Sequence, residues 1–99
     1  MQAHYPAEFD REMGCTEAEL LQCLPGAAQG RPLSVGLRQA SITIDAGSLL
    51  LSWQTLPPRQ IALLRLPRLA VSFRFSGISE PSSHDFMRYF DLYTQRGGG

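Results

Sequence analysis

Residues 33–54, LSVGLRQASITIDAGSLLLSWQ, decide the fold. Leu33, Val35 and Leu37 alternate with Ser34, Gly36 and Arg38, the period of a half-buried strand. Ala40, Ile42 and Ile44 alternate in the opposite phase, and no turn signal separates the two runs. The spacing predicts one long strand over 33–45 with a bulge near Arg38-Gln39, where an extra residue restores the inward phase. Two separate strands are the alternative. Asp45-Ala46-Gly47-Ser48 predicts a hairpin turn with the positive φ at Gly47. The return strand covers 49–54 and places Leu49, Leu51 and Trp53 on one face.

Toward the C-terminus, Pro57-Pro58 predicts a stiff loop that breaks the sheet. Residues 60–66 and 68–76 both read as strand. At Pro67, between them, either a tight turn or a kink in one long strand is expected. Leu69, Val71, Phe73 and Phe75 alternate with the outward Arg68, Ser72 and Arg74. Ser82 or Ser83 caps a final helix, on which Phe86, Tyr89, Phe90 and Tyr93 share a face. Gly97 closes that helix.

Toward the N-terminus, Thr16 and Glu19 form a capping box that opens a short helix. Leu20, Leu21, Cys23 and Leu24 give it a packing face, and Pro25-Gly26 is expected to end it. Residues 1–14 read as an irregular arm docked by Tyr5 and Phe9. The order predicts an α+β fold: an antiparallel sheet of about four strands, one of them long and bulged, with the N-terminal and C-terminal helices packed on one face. A single domain over 15–96 lies between the arm and a flexible glycine tail at 97–99, since 99 residues suffice for one domain.

A hydrophobic content of 43% at zero net charge excludes disorder over most of the length. All nine positively charged residues are arginine, and lysine is absent. Residues 1–30 set Glu8, Asp10, Glu12, Glu17 and Glu19 against Arg11 alone, whereas 31–76 set Arg31, Arg38, Arg59, Arg65, Arg68 and Arg74 against Asp45 alone. An acidic head and a basic middle are expected to neutralise each other within the fold or across a dimer.

The outward arginines Arg65, Arg68 and Arg74 form a candidate anion surface, because guanidinium groups bind carboxylate and phosphate bidentately. Tyr89 and Tyr93 are candidates for orienting a polar ligand. Nucleic acid is disfavoured as a partner: base-stacking aromatics should share a face with the arginines, and Phe73 and Phe75 point the other way. Cys15 is a candidate reactive thiol, since it precedes a helix N-terminus, although Glu17 opposes a thiolate there. Cys15 and Cys23 would lie about 12 Å apart along one helix and cannot pair within it. With His4 and His84 they make no zinc spacing, so no metal or cofactor is expected. Ser82, Ser83, His84 and Asp85 are neighbours in sequence, but a triad is assembled in space. No signal peptide or spanning segment is read, which points to the cytoplasm and to no membrane partner.

Leu66-Pro67-Arg68-Leu69 through Phe75, and the ending Phe90-Asp91-Leu92-Tyr93-Thr94-Gln95-Arg96-Gly97-Gly98-Gly99, resemble those of short uncharacterised bacterial proteins over residues 5–99. The resemblance implies a stand-alone bacterial protein and carries no site. The final glycines also resemble the diglycine ends of sulfur carriers and ubiquitin-like modifiers, although those leave a strand and this tail leaves a helix. The expectation is a non-enzymatic protein-interaction or assembly domain that associates with itself or another protein. The alternative is a small-ligand or anion-binding domain using the sheet arginines and helix tyrosines.

Overall fold

The computed structural model describes residues 6–96. In chain order the elements are β1 (Glu8–Met13), α1 (Glu17–Ala27), β2 (Leu33–Gly36), β3 (Gln39–Ile44), β4 (Gly47–Ile61), β5 (Leu64–Ser76) and α2 (Glu80–Arg96). The strands form one antiparallel sheet in the order β1-β5-β4-β3-β2. The fold is therefore α+β, as the sequence indicates, but the sheet has five strands rather than about four.

Three corrections account for the difference, two that each add a strand and a third that removes one by running the chain through Pro57-Pro58. The segment read as an irregular arm contains β1, which pairs antiparallel with β5 from Glu8↔Arg74 to Met13↔Leu69. Its alternation is hidden because the inward side carries an arginine between Phe9 and Met13. Arg11 is accommodated there by an ion pair to Asp91 at 2.6 Å and by the rings of Phe9 and Phe73, 5.4 and 5.2 Å away. Phe9 itself stacks on Phe73 at 4.8 Å, while Tyr5 lies outside the described residues.

Residues 33–45, expected as one bulged strand, are two. The chain reverses at Leu37-Arg38, with Arg38 in the left-handed region at φ 56°. Neither of the two turn residues is glycine or asparagine, although Gly36 precedes them, so the change of hydrophobic phase looks like a bulge when it is a reversal. In the next hairpin the left-handed residue is Asp45, at φ 53°, instead of Gly47. Gly47 is needed for a different reason: a Cβ there would collide with the Ser76 carbonyl and the Gly77 backbone.

The long bulged strand is β4. Pro57-Pro58 does not break the sheet, because β4 runs through it with a register shift between Leu56 and Arg59. Pro67 lies opposite that shift, inside a continuous β5. None of the three prolines can donate a ladder hydrogen bond, and the register shift falls at their level.

Burial follows the pleat. Ala40, Ile42 and Ile44 of β3, Leu49, Leu51 and Trp53 of β4, and Leu69, Val71, Phe73 and Phe75 of β5 are buried. They form one cluster with Leu20 and Leu24 of α1 and Phe86, Met87 and Phe90 of α2. Phe90 meets Phe73 edge-on at 5.5 Å, and Phe86 meets Phe75 at 6.4 Å. The intervening strand positions are exposed or half-buried.

The capping box is present: the Thr16 amide donates to Glu19 Oε1 at 2.8 Å, and the Glu19 amide to Thr16 Oγ1 at 3.1 Å. Helix α1 continues through Pro25 to Ala27 rather than stopping at Pro25-Gly26. Both Leu21 and Pro25 face solvent, so the carbonyl that the ring deprives of a donor is on the wet side. The cap of α2 is Ser79, whose Oγ accepts from the Ser82 amide at 3.3 Å, and Pro81 occupies the first turn, where no N–H is needed. Among the described residues, no helix is long and apolar enough to cross a membrane.

Candidate interaction surface

Strand β1 ends opposite Leu69 and β3 ends opposite Ser52. Among the described residues, β4 and β5 run on alone beyond those levels, as a two-stranded ribbon that stands roughly 15 Å past its neighbours at ~3.3 Å per residue. It closes at Ala62-Leu63, a two-residue turn with Ala62 at φ 54°.

The register after the bulge decides what the ribbon presents. Arg59 pairs with Leu66 and Ile61 with Leu64, so these four side chains share a face. Gln60 pairs with Arg65 on the other. Ile61, Leu64 and Leu66 are 51%, 62% and 42% exposed, and Leu63 at the tip is 97% exposed. Their combined open surface exceeds that of two fully exposed aliphatic side chains, and burying it would contribute roughly 5 kcal/mol per chain. A two-stranded ribbon with one uncovered apolar face is marginal in water.

The base of that face is closed by charge. Arg68 grips Glu12 bidentately, Nε to Oε2 at 3.0 Å and Nη2 to Oε1 at 2.9 Å, and Arg59 Nη2 reaches the same Oε2 at 3.3 Å. Arg68 Nη1 also donates to the Pro57 carbonyl at 3.2 Å, tying the bulge to β5. The Arg68 hydrogen bonds, with Arg59 adding to them, hold the Glu12 carboxyl below the usual glutamate value. Glu12 in turn raises Arg68. The expected neutralisation of basic strands by the acidic head is thus realised at this cluster. A second side-chain contact between β1 and β5 is the Ser72 hydroxyl, which donates to Asp10 Oδ1 at 2.6 Å.

The residues proposed from sequence for a ligand surface do not come together. Arg68 and Arg74 alternate away from Phe73 and Phe75, which α2 contacts through Phe90 and Phe86, so the sheet stands between these arginines and the helix. Arg65 is out on the ribbon. Tyr89 and Tyr93 stack on each other at 5.9 Å on α2. The phenol of Tyr93 lies against Gly26 of α1. Cys15 is 2% exposed, and its thiol is pushed up first by burial, then by Glu19 and Cys23.

A polar cleft of about 260 Å³ lies where Arg31 and Asp45 meet Ser82 and Asp85 of α2. Its guanidinium is already engaged: Arg31 Nη1 donates to Gln29 Oε1 at 2.6 Å, and the group sits 5.5 Å from the Phe86 ring. Among the described residues, no three of His, Cys, Asp and Glu gather as metal ligands.

The ribbon is hidden in the sequence because Pro57-Pro58 reads as a break. The available signal was the apolar run Ile61-Ala62-Leu63-Leu64 without an acidic residue: between Ala46 and Ser79 the chain carries Arg59, Arg65, Arg68 and Arg74 and no Asp or Glu. No protein-family model matches the chain, and no curated protein matches it.

Proposed function

We propose that this chain is a non-enzymatic interaction and assembly domain that associates with itself, and that the β4–β5 ribbon is its contact surface. One observation carries the reading: Ile61, Leu64 and Leu66 form an apolar face on a ribbon that, among the described residues, no other strand flanks. Surfaces of this kind mark protein contacts when they are contiguous and rimmed by polar groups. The clustering of α1 and α2 side chains with one set of strand residues supports placing both helices on one face of the sheet, so that neither covers the ribbon.

The test is affinity purification of the tagged chain from its native cell beside a Leu63→Ser/Leu64→Ser variant. A second, differently tagged copy is expected with the wild type and is expected to be lost with the variant. Recovery of nothing that depends on the ribbon, together with a strictly monomeric purified chain, would overturn the proposal.

A further inference from the structure

We infer that Glu12 is a positioning residue for the ribbon: its carboxylate clamps the junction between ribbon and sheet, so that β1 governs the angle at which the apolar face is presented. The clamp stands on geometry alone, while its consequence for association rests on the ribbon being the contact surface.

The ribbon joins the sheet at one irregular level. Leu56 pairs with Arg68, and the next pair is Arg59 with Leu66. Pro57 and Pro58 therefore oppose Pro67 alone, two residues against one. A bulge of this kind bends and twists its strand, so the direction of the ribbon is decided here. The ladder holds this level weakly, because none of the prolines donates a hydrogen bond across it. Side chains are left to fix the angle.

Glu12 does so from a third strand. Arg68 is the last β5 partner on the sheet side of the register shift, and Arg59 is the first paired β4 residue on the ribbon side. One carboxylate joins the two. Glu12 Oε1 accepts from Arg68 Nη2 at 2.9 Å, and Oε2 accepts from Arg68 Nε at 3.0 Å and from Arg59 Nη2 at 3.3 Å. Arg68 also reaches the Pro57 carbonyl inside the bulge. The cluster thus spans β1, β5 and β4 and both sides of the junction. Among the described residues, no other side-chain hydrogen bond or ion pair reaches residues 59–66.

The two halves of the clamp differ. The Arg68 fork fixes orientation as well as distance, and its side chain is 29% exposed. Arg59 makes a single longer bond, and its side chain is 57% exposed. The sheet side is the fixed jaw, and the ribbon side yields first. Because two guanidiniums share one carboxylate, loss of Glu12 does more than remove a bond. It leaves two like charges facing each other across the junction, where attraction becomes repulsion.

The experiment measures backbone amide residual dipolar couplings of the wild type, Glu12→Gln and Arg59→Gln, with sedimentation of the same three proteins. Arg59→Gln keeps the Arg68–Glu12 fork, so it separates clamping of the ribbon from anchoring of β1. In the wild type, the couplings of residues 59–61 and 64–66 should fit the same molecular alignment as those of β3. In both variants the ribbon couplings should shrink and leave that common fit, while those of β3 stay. Salt at 1 M, where the screening length is about 3 Å, should shift the wild type the same way. Self-association should weaken by up to about 5-fold in each variant, the weight of one exposed ion pair.

Ribbon couplings that stay unchanged in either variant, or that are indifferent to salt in the wild type, would overturn the clamp. Loosening by Glu12→Gln alone, with faster amide exchange along β1, would make Glu12 an anchor of that strand and overturn it as well. Ribbon-dependent association with unchanged couplings would sink the clamp and leave the contact-surface reading standing. Loosened couplings in both variants of a chain that stays monomeric at high-micromolar concentration would uphold the clamp and remove that reading.

Discussion

The phenol of Tyr93 occupies the space beside Gly26 that any side chain would need. Helices α1 and α2 approach each other through this pair. Glycine costs α1 roughly 1 kcal/mol relative to alanine in an ordinary helix interior. At this position the preference is inverted.

Gly26→Ala is therefore expected to destabilise the protein by about 1–3 kcal/mol, as overpacking does, despite the better helix former. Tyr93→Ala alone opens a gap at the same place. Combined with Gly26→Ala it should cost less than the two single changes added together. Denaturant unfolding of the four proteins in a double-mutant cycle checks this, and additive costs would show that the two residues do not share the space.

The Glu12 cluster predicts an acid-side dependence. Its folded-state value is depressed by Arg68 first and Arg59 after it, so its contribution is present above the ordinary glutamate value of 4.5 and is lost as pH falls through the folded value. Wild type and Glu12→Gln should differ most near neutrality and converge in acid below pH 4.5. Melting temperature as a function of pH reads this out. The cluster is exposed, so added salt should narrow the difference.

Ala62 sits in the left-handed region at φ 54°, where a Cβ is costly and glycine is free. Ala62→Gly is expected to stabilise the ribbon turn by about 1 kcal/mol. Amide hydrogen exchange at Ile61 and Leu64 should slow, while exchange in β3 stays unchanged. Equal or faster exchange at the turn would contradict the assigned conformation.

Burial raises the Cys15 thiol, and the carboxylate of Glu19 adds to the effect, so little thiolate forms near neutral pH. Cys23 is only half-buried. Alkylation of the folded protein near pH 8 should label Cys23 before Cys15, and unfolding should remove the difference. Mass spectrometry of the two cysteine peptides decides it. Faster labelling of Cys15 would revive the reactive-thiol reading.

The sequence alone determined whatever depends on neighbours in the chain. The capping box at Thr16 and Glu19, the hairpin after Ile44, the inward faces of β4 and β5, and the helix carrying Phe86 and Phe90 are all set by local hydrogen bonding or by hydrophobic period. So is the class of fold. Only the tertiary structure decided the features that depend on remote partners. Strand β1 was illegible because its inward Arg11 is neutralised by Asp91, eighty positions away. The reversal at Leu37-Arg38 uses a left-handed arginine, a residue that announces no turn. Gly26 read as a helix stop because its true constraint, Tyr93, lies on another helix. The candidate surface was hidden for the same reason. Pro57-Pro58 is a breaker by local rules, yet pairing of β4 with β5 resumes beyond it at Arg59↔Leu66 after a register shift. The ribbon therefore continues past the bulge, and the register there turns Ile61, Leu64 and Leu66 to one open face.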